Sequence, residues 1–155
     1  MKREKRVWIS LILVFILMMV LSGCSGVTGP KTAKINITID PNPVPYSSEN
    51  ENWPLTIILE ESNGVGVTIS SLRWDEYNQE EQLIYTTIFY ETNEEGITSL
   101  FGSNYLPAFS SLQKLLHYNL DPEDGFAQYI ILTIEGVDDN NNPVEATGRA
   151  DLLPQ

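Results

Sequence analysis

The chain has 155 residues and carries nine Lys and Arg against 21 Asp and Glu, a formal net charge of −12, with a single His and a single Cys. That balance argues against nucleic acid and anionic headgroups as partners, because both are held by clustered Lys and Arg. One His and one Cys are too few for an ordinary zinc site, and no disulfide can close within the chain.

The first six residues, Met-Lys-Arg-Glu-Lys-Arg, hold four cations and one anion, and Val7 to Leu21 follow with no charge in fifteen positions. A basic start, an apolar run and small residues before a cleavage point are the marks of a secretory signal. The run is short for a membrane span, which takes about 20 apolar residues. A retained anchor helix is the alternative reading. Leu21-Ser22-Gly23-Cys24 then resembles the lipobox of bacterial lipoproteins at all four positions. The resemblance implies that residues 1–23 are a lipoprotein signal peptide and that Cys24 carries a diacylglycerol. It also implies an extracytoplasmic domain, anchored to the outer face of the plasma membrane or to the outer membrane. Two acyl chains give stable attachment, at about 0.8 kcal/mol per buried methylene. Taking away the leader's four cations and one anion leaves 5 cations against 20 anions, so no basic patch assists the anchor.

Residues 24–32, the lipidated Cys24 and a stretch rich in Gly, Ser and Thr, read as a short flexible tether. From 33 to 153 the pattern is that of one all-β domain. Ala33–Asp40 alternates, with Ile35, Ile37 and Ile39 on one face. A Pro-rich break follows, and Trp53–Glu61 places Leu55, Ile57 and Leu59 inward. Ser62–Gly64 is a turn signal, and Val65, Val67 and Ile69 alternate before the phase flips to Leu72 and Trp74. The flip predicts a bulge near Ser70-Ser71. Leu83–Glu91, rich in β-branched and aromatic residues, fits a strand at a sheet centre or buried on both sides. Thr92–Asp124 is irregular, with Ser111–Leu116 suited to one or two helical turns. Phe126–Val137 is a strand, Asp138–Pro143 a turn, and Val144–Leu152 a last strand with Val144, Ala146, Gly148, Ala150 and Leu152 on one face.

Leu120–Val137 resembles the approach to the second-last strand of immunoglobulin and fibronectin type III domains. The resemblance implies an immunoglobulin-like β-sandwich of about seven strands. In it Tyr129 would be the tyrosine-corner residue, preceded by Leu120, Pro122 and Gly125, with its hydroxyl bonded back to the preceding loop. Trp74 would sit in the core on the third strand.

The chemistry-bearing residues are few. His117 would have to serve any Ser-His-Asp triad, and no Gly-x-Ser-x-Gly elbow is present. The acid pairs Glu60-Glu61, Asp75-Glu76, Glu80-Glu81 and Glu94-Glu95 read as solvated turn charge rather than as a glycosidase pair. Asp138, Asn140, Asn142 and Glu145 offer alternating oxygens of the kind Ca²⁺ takes, but they equally suit a hairpin turn, which is the preferred reading. Trp53, Trp74, Tyr77, Tyr85, Phe89, Tyr90, Phe101, Tyr105, Phe109 and Tyr118 could build a sugar-binding platform, though more of them read as core; Phe101, Tyr105 and Phe109, on a long irregular segment, are the candidate ligand-binding aromatics. The expectation is a cofactor-free domain of the cell envelope that acts by binding another envelope protein, and not by catalysis. Carbohydrate or cell-wall recognition through exposed aromatics is the alternative, and a hydrolase a remote one.

Overall fold

The computed structural model describes residues 30–90, 96–119 and 127–154. The leader, Cys24, Glu94, Glu95 and the Leu120–Phe126 approach to Tyr129 lie outside the described residues. Eight strands and one helical turn follow in the order β1 (Ile35–Asp40), β2 (Trp53–Glu61), β3 (Val67–Tyr77), β4 (Leu83–Tyr90), α1 (Ile97–Phe101), β5 (Tyr105–Leu106), β6 (Ser111–Tyr118), β7 (Tyr129–Asp138) and β8 (Pro143–Asp151).

All pairings between these strands are antiparallel. One sheet has the order β1-β2-β6; the other runs β4-β3-β7-β8, with the two-residue β5 against the start of β3. The sheets pack face to face through the apolar side chains that their strands turn inward. Leu55, Ile57 and Leu59 from β2 meet Ile69, Leu72 and Trp74 from β3 and Ile130, Leu132 and Ile134 from β7 in a single buried core. On β3 the buried face changes phase where the register with β7 shifts between Ile69 and Ser71, which is the expected bulge.

The two ends of the sheet stack differ. On one side β8 packs on β1, and Gly148 makes the approach close: a Cβ there would stand 2.5 Å from Ile37 Cγ2. On the other side lie the edges β4 and β6, and α1 packs between β3 and β6.

Three expectations are corrected. Ser111–Leu116 is not helical but the body of β6, paired with β2 from Glu60↔Ser111 to Trp53↔Tyr118. A strand here satisfies every second side chain inward, namely Leu112, Lys114, Leu116 and Tyr118. Among the described residues the single helix is Ile97–Phe101, within the irregular segment. Leu83–Tyr90 is not central but an edge strand, and Leu83, Tyr85, Ile88 and Tyr90 are exposed. Finally, three of the acids read as solvated turn charge are buried: Glu61, Asp75 and Glu76.

Candidate functional site

Because the sheets are not closed on the β4–β6 side, a cleft of about 380 Å³ opens between them. That is within the roughly 300–1,000 Å³ range of ligand sites. Its walls follow from strand alternation. β3 contributes Leu72, Trp74 and Glu76; β4 contributes Tyr85, Thr87 and Phe89; β6 contributes Lys114, Leu116 and Tyr118. Leu100 and Phe101 of α1 close one end, and His117 and Asn119 stand at the rim. The floor is aromatic. Tyr118 reaches across from β6 to Trp74 on β3, with ring centroids 5.2 Å apart, and to Trp53 on β2 at 6.1 Å.

Two charges face this apolar space. Glu76 is buried and its carboxylate accepts the Trp74 indole N–H at 3.0 Å. Lys114 lies half-buried on the inward side of β6. The ion pairs among the described residues are Arg73–Asp75 and Arg149–Asp151, so Lys114 has no carboxylate partner there. The rim is apolar on the β4 side, where Tyr85 is 46 % exposed, while Leu115 of β6, 57 % exposed, lies on the outer face of its strand, away from the cleft. Among the described residues β4 pairs only with β3 and β6 only with β2, so each presents a free strand edge beside the cleft. Free edges carry unpaired N–H and C=O groups and are ready templates for another strand.

The structure does not bring the three candidate aromatics together. Phe101 lines the cleft. Tyr105 and Phe109 sit at one end of the sheet stack, over the β2–β3 connection. The Tyr105 hydroxyl donates to Asp139 Oδ2 at 3.1 Å, and this bond raises the phenol pKa above its ordinary 10.0. The Phe109 ring lies over Gly64, where φ is +82° and a Cβ would stand 2.5 Å from the ring.

Asp138, Asn140, Asn142 and Glu145 do not converge on a point. Asp138 is buried, and its carboxylate accepts the backbone N–H groups of Ala33, Asn140 and Asn142 at 3.1, 2.9 and 2.8 Å and the Asn142 side-chain amide. Burial would raise its pKa, but these bonds, led by Asn142, outweigh it and hold the group below 3.8. Asn140 instead donates to Lys31 O, and Glu145 stands on β8 opposite Glu135. His117 is exposed on β6 opposite Pro54. Tyr129 opens β7, stacked on Tyr77 at 4.9 Å with Arg149 3.7 Å above its ring.

Glu61 is a structural carboxylate. Its oxygens accept four backbone N–H groups, from Lys34, Asn63, Gly64 and Phe109, at 2.8–3.1 Å. Burial alone would raise its pKa, yet these donors together, Phe109 foremost, lower it from 4.5 to about 2. It ties β1, the β2–β3 turn and the segment before β6 at one point.

Sequence reasoning placed Tyr85, Phe89 and Tyr118 among the aromatics able to form a platform but preferred the Phe101–Phe109 segment, and it missed Lys114. The available signal for the β4 positions was the run of apolar residues at both parities in Leu83–Tyr90, which suits a strand with something to bind as well as a buried one.

No protein-family profile matches the chain, and no curated protein matches it. Among solved structures the chain is similar to a Bordetella pertussis protein assigned as ApaA, with a TM-score of 0.52, 13 % identity, and coverage of 81 % of this chain and 98 % of that one. This likeness is one of fold. Two further similarities have TM-scores of 0.43. One is to a structural-genomics protein designated SoR45, at 12 % identity over 77 % of this chain and 86 % of that one. The other is to the Pseudomonas fluorescens alkylpurine DNA glycosylase AlkC bound to DNA, at 11 % identity over 79 % of this chain and 30 % of that one. None of the three is described as an immunoglobulin-like protein.

Proposed function

We propose that this protein is a lipid-anchored, extracytoplasmic binding domain of the bacterial cell envelope, and that the open β4–β6 side is where it meets an envelope protein. Residues 1–23 act as the signal peptide, Cys24 carries the lipid, 24–32 form the tether, and 33–153 form the binding domain. The domain belongs in the immunoglobulin and fibronectin type III class. Seven long strands in sheets of three and four, a buried Trp74 on the third and Tyr129 at the start of the second-last support that assignment. Its role is binding without catalysis and without a cofactor.

The observation that carries the reading is the exposed apolar edge of β4 beside an aromatic cleft. Solvated edge strands are ordinarily short, charged or covered, so an uncovered apolar one marks an interaction surface. An extended segment laid along β4 would pair its backbone there and set alternate side chains into the cleft.

The test is photo-crosslinking in the native cell with the crosslinker at Tyr85 and at His117, and at Glu145 on the far side as comparison. A discrete protein adduct at Tyr85 or His117 that is absent at Glu145 is expected. Crosslinks to glycan alone at the same positions would transfer the cleft to carbohydrate recognition. No adduct at either rim position would overturn the reading.

A further inference from the structure

The domain's orientation on the membrane follows from where the tether is held. Asn140 Nδ2 donates to Lys31 O at 2.8 Å, and Asn63 Nδ2 donates to Thr32 O at 2.6 Å. Ala33 and Lys34 then give their N–H groups to Asp138 and Glu61. Two hairpin turns therefore clamp the incoming chain at the end of the sheets where Tyr105 and Phe109 lie.

Seven residue steps separate Cys24 from Lys31, which span at most about 25 Å when fully extended. The r.m.s. reach of a flexible stretch of that length is about 15 Å. The eleven residues of β3 run from this end to the opposite one, roughly 33 Å at strand rise. A tether pinned at the near end is thus shorter than the domain, so the domain cannot turn its far end to the bilayer.

We propose that the end bearing Phe109 and Tyr105 rests on the lipid surface, with Phe109 seated in the headgroup layer. This rests on the lipid anchor at Cys24. Phe109 is 72 % exposed, the most exposed large apolar residue described, and Tyr105 beside it is 40 % exposed. Aromatic rings with an apolar body are favoured at the membrane–water interface. The local charge permits the approach. Exposed Lys31 and Lys34 offset exposed Glu60 and Asp139 at this end, while Glu61 and Asp138 are buried and satisfied by N–H donors. The same placement turns the Tyr85–Tyr118 cleft toward the far half of the domain, where a partner reaches it.

The experiment uses the full chain made in a bacterial host with its leader, extracted from the membrane and reconstituted in phosphatidylcholine vesicles. Mass analysis of the N-terminal peptide reads the state of Cys24. Phe109→Trp is compared with Tyr85→Trp for quenching by phosphatidylcholine brominated near the headgroup, with the unsubstituted protein as background. Tyr105→Trp supplies a second probe at the same end. The expected result is quenching at Phe109→Trp and Tyr105→Trp roughly twofold or more above that at Tyr85→Trp. Equal quenching on a protein whose Cys24 is acylated would overturn the orientation alone. An unmodified Cys24 would overturn the anchor, and the orientation with it.

Discussion

Trp74 of β3 and Tyr118 of β6 meet across the two sheets with ring centroids 5.2 Å apart, and this pair is the floor of the cleft. The indole N–H is used as well, donated to the buried carboxylate of Glu76. Trp74→Phe therefore removes both ring area and a donor from a buried acceptor. A loss of about 2–4 kcal/mol in urea unfolding is expected, combining a partly unfilled space with the weakened hydrogen bonding of a buried charge. An unchanged midpoint would contradict this role.

The closed side depends on the near contact between Gly148 and Ile37. Gly148→Ala introduces a methyl group 2.5 Å from Ile37 Cγ2 and 2.8 Å from its Cβ. Ile37 is β-branched and has few rotamers in which to escape. The substitution is expected to destabilise by about 1–3 kcal/mol. Ile37→Ala removes Cγ2, so Gly148→Ala should cost less in that background than in the wild type, which thermal unfolding of the single and double variants measures.

Acid should weaken the domain at Glu61. The folded pKa of about 2 lies below the ordinary 4.5, so the unfolded chain binds the proton more readily. The stabilisation is complete above pH 4.5 and is lost as pH falls toward 2. The amount is about 1–3 kcal/mol, reduced from the full conversion by solvent near the turn. Glu61→Gln should lower stability at neutral pH and flatten this acid slope. A wild-type slope retained in the variant would assign the acid sensitivity to other groups.

Rim residues should separate binding from folding. Tyr85→Lys and Leu83→Lys alter exposed positions of the β4 edge, and each should change stability by no more than about 0.5 kcal/mol. Each should nonetheless weaken capture of the crosslinked partner by roughly tenfold, since apolar anchors carry most interface energy. Undiminished capture by both variants would remove the cleft rim from the interface.

The strands were legible where one face is buried and the other wet. Ile35, Ile37 and Ile39, and Val144 through Leu152, could be assigned from alternation alone, as could the bulge before Leu72. β6 was not legible. Leu112, Leu115 and Leu116 also fit a helical spacing, and over so short a run only the partner strand decides. β4 was legible as a strand but not as an edge, because apolar side chains on both parities signal burial unless a binding surface is the reason. The fate of Glu61 and of the aromatic pair Trp74–Tyr118 was set by contacts between segments far apart in the chain, which no local pattern carries.

The most direct measurement is amide hydrogen exchange of the full-length protein, first purified and then in the membrane fraction of the producing cell. On the present account the Leu83–Tyr90 amides not paired with β3 exchange freely in the purified protein and become protected in the membrane, where the partner covers the edge. Protection elsewhere, with Leu83–Tyr90 exchanging equally fast in both states, would contradict it.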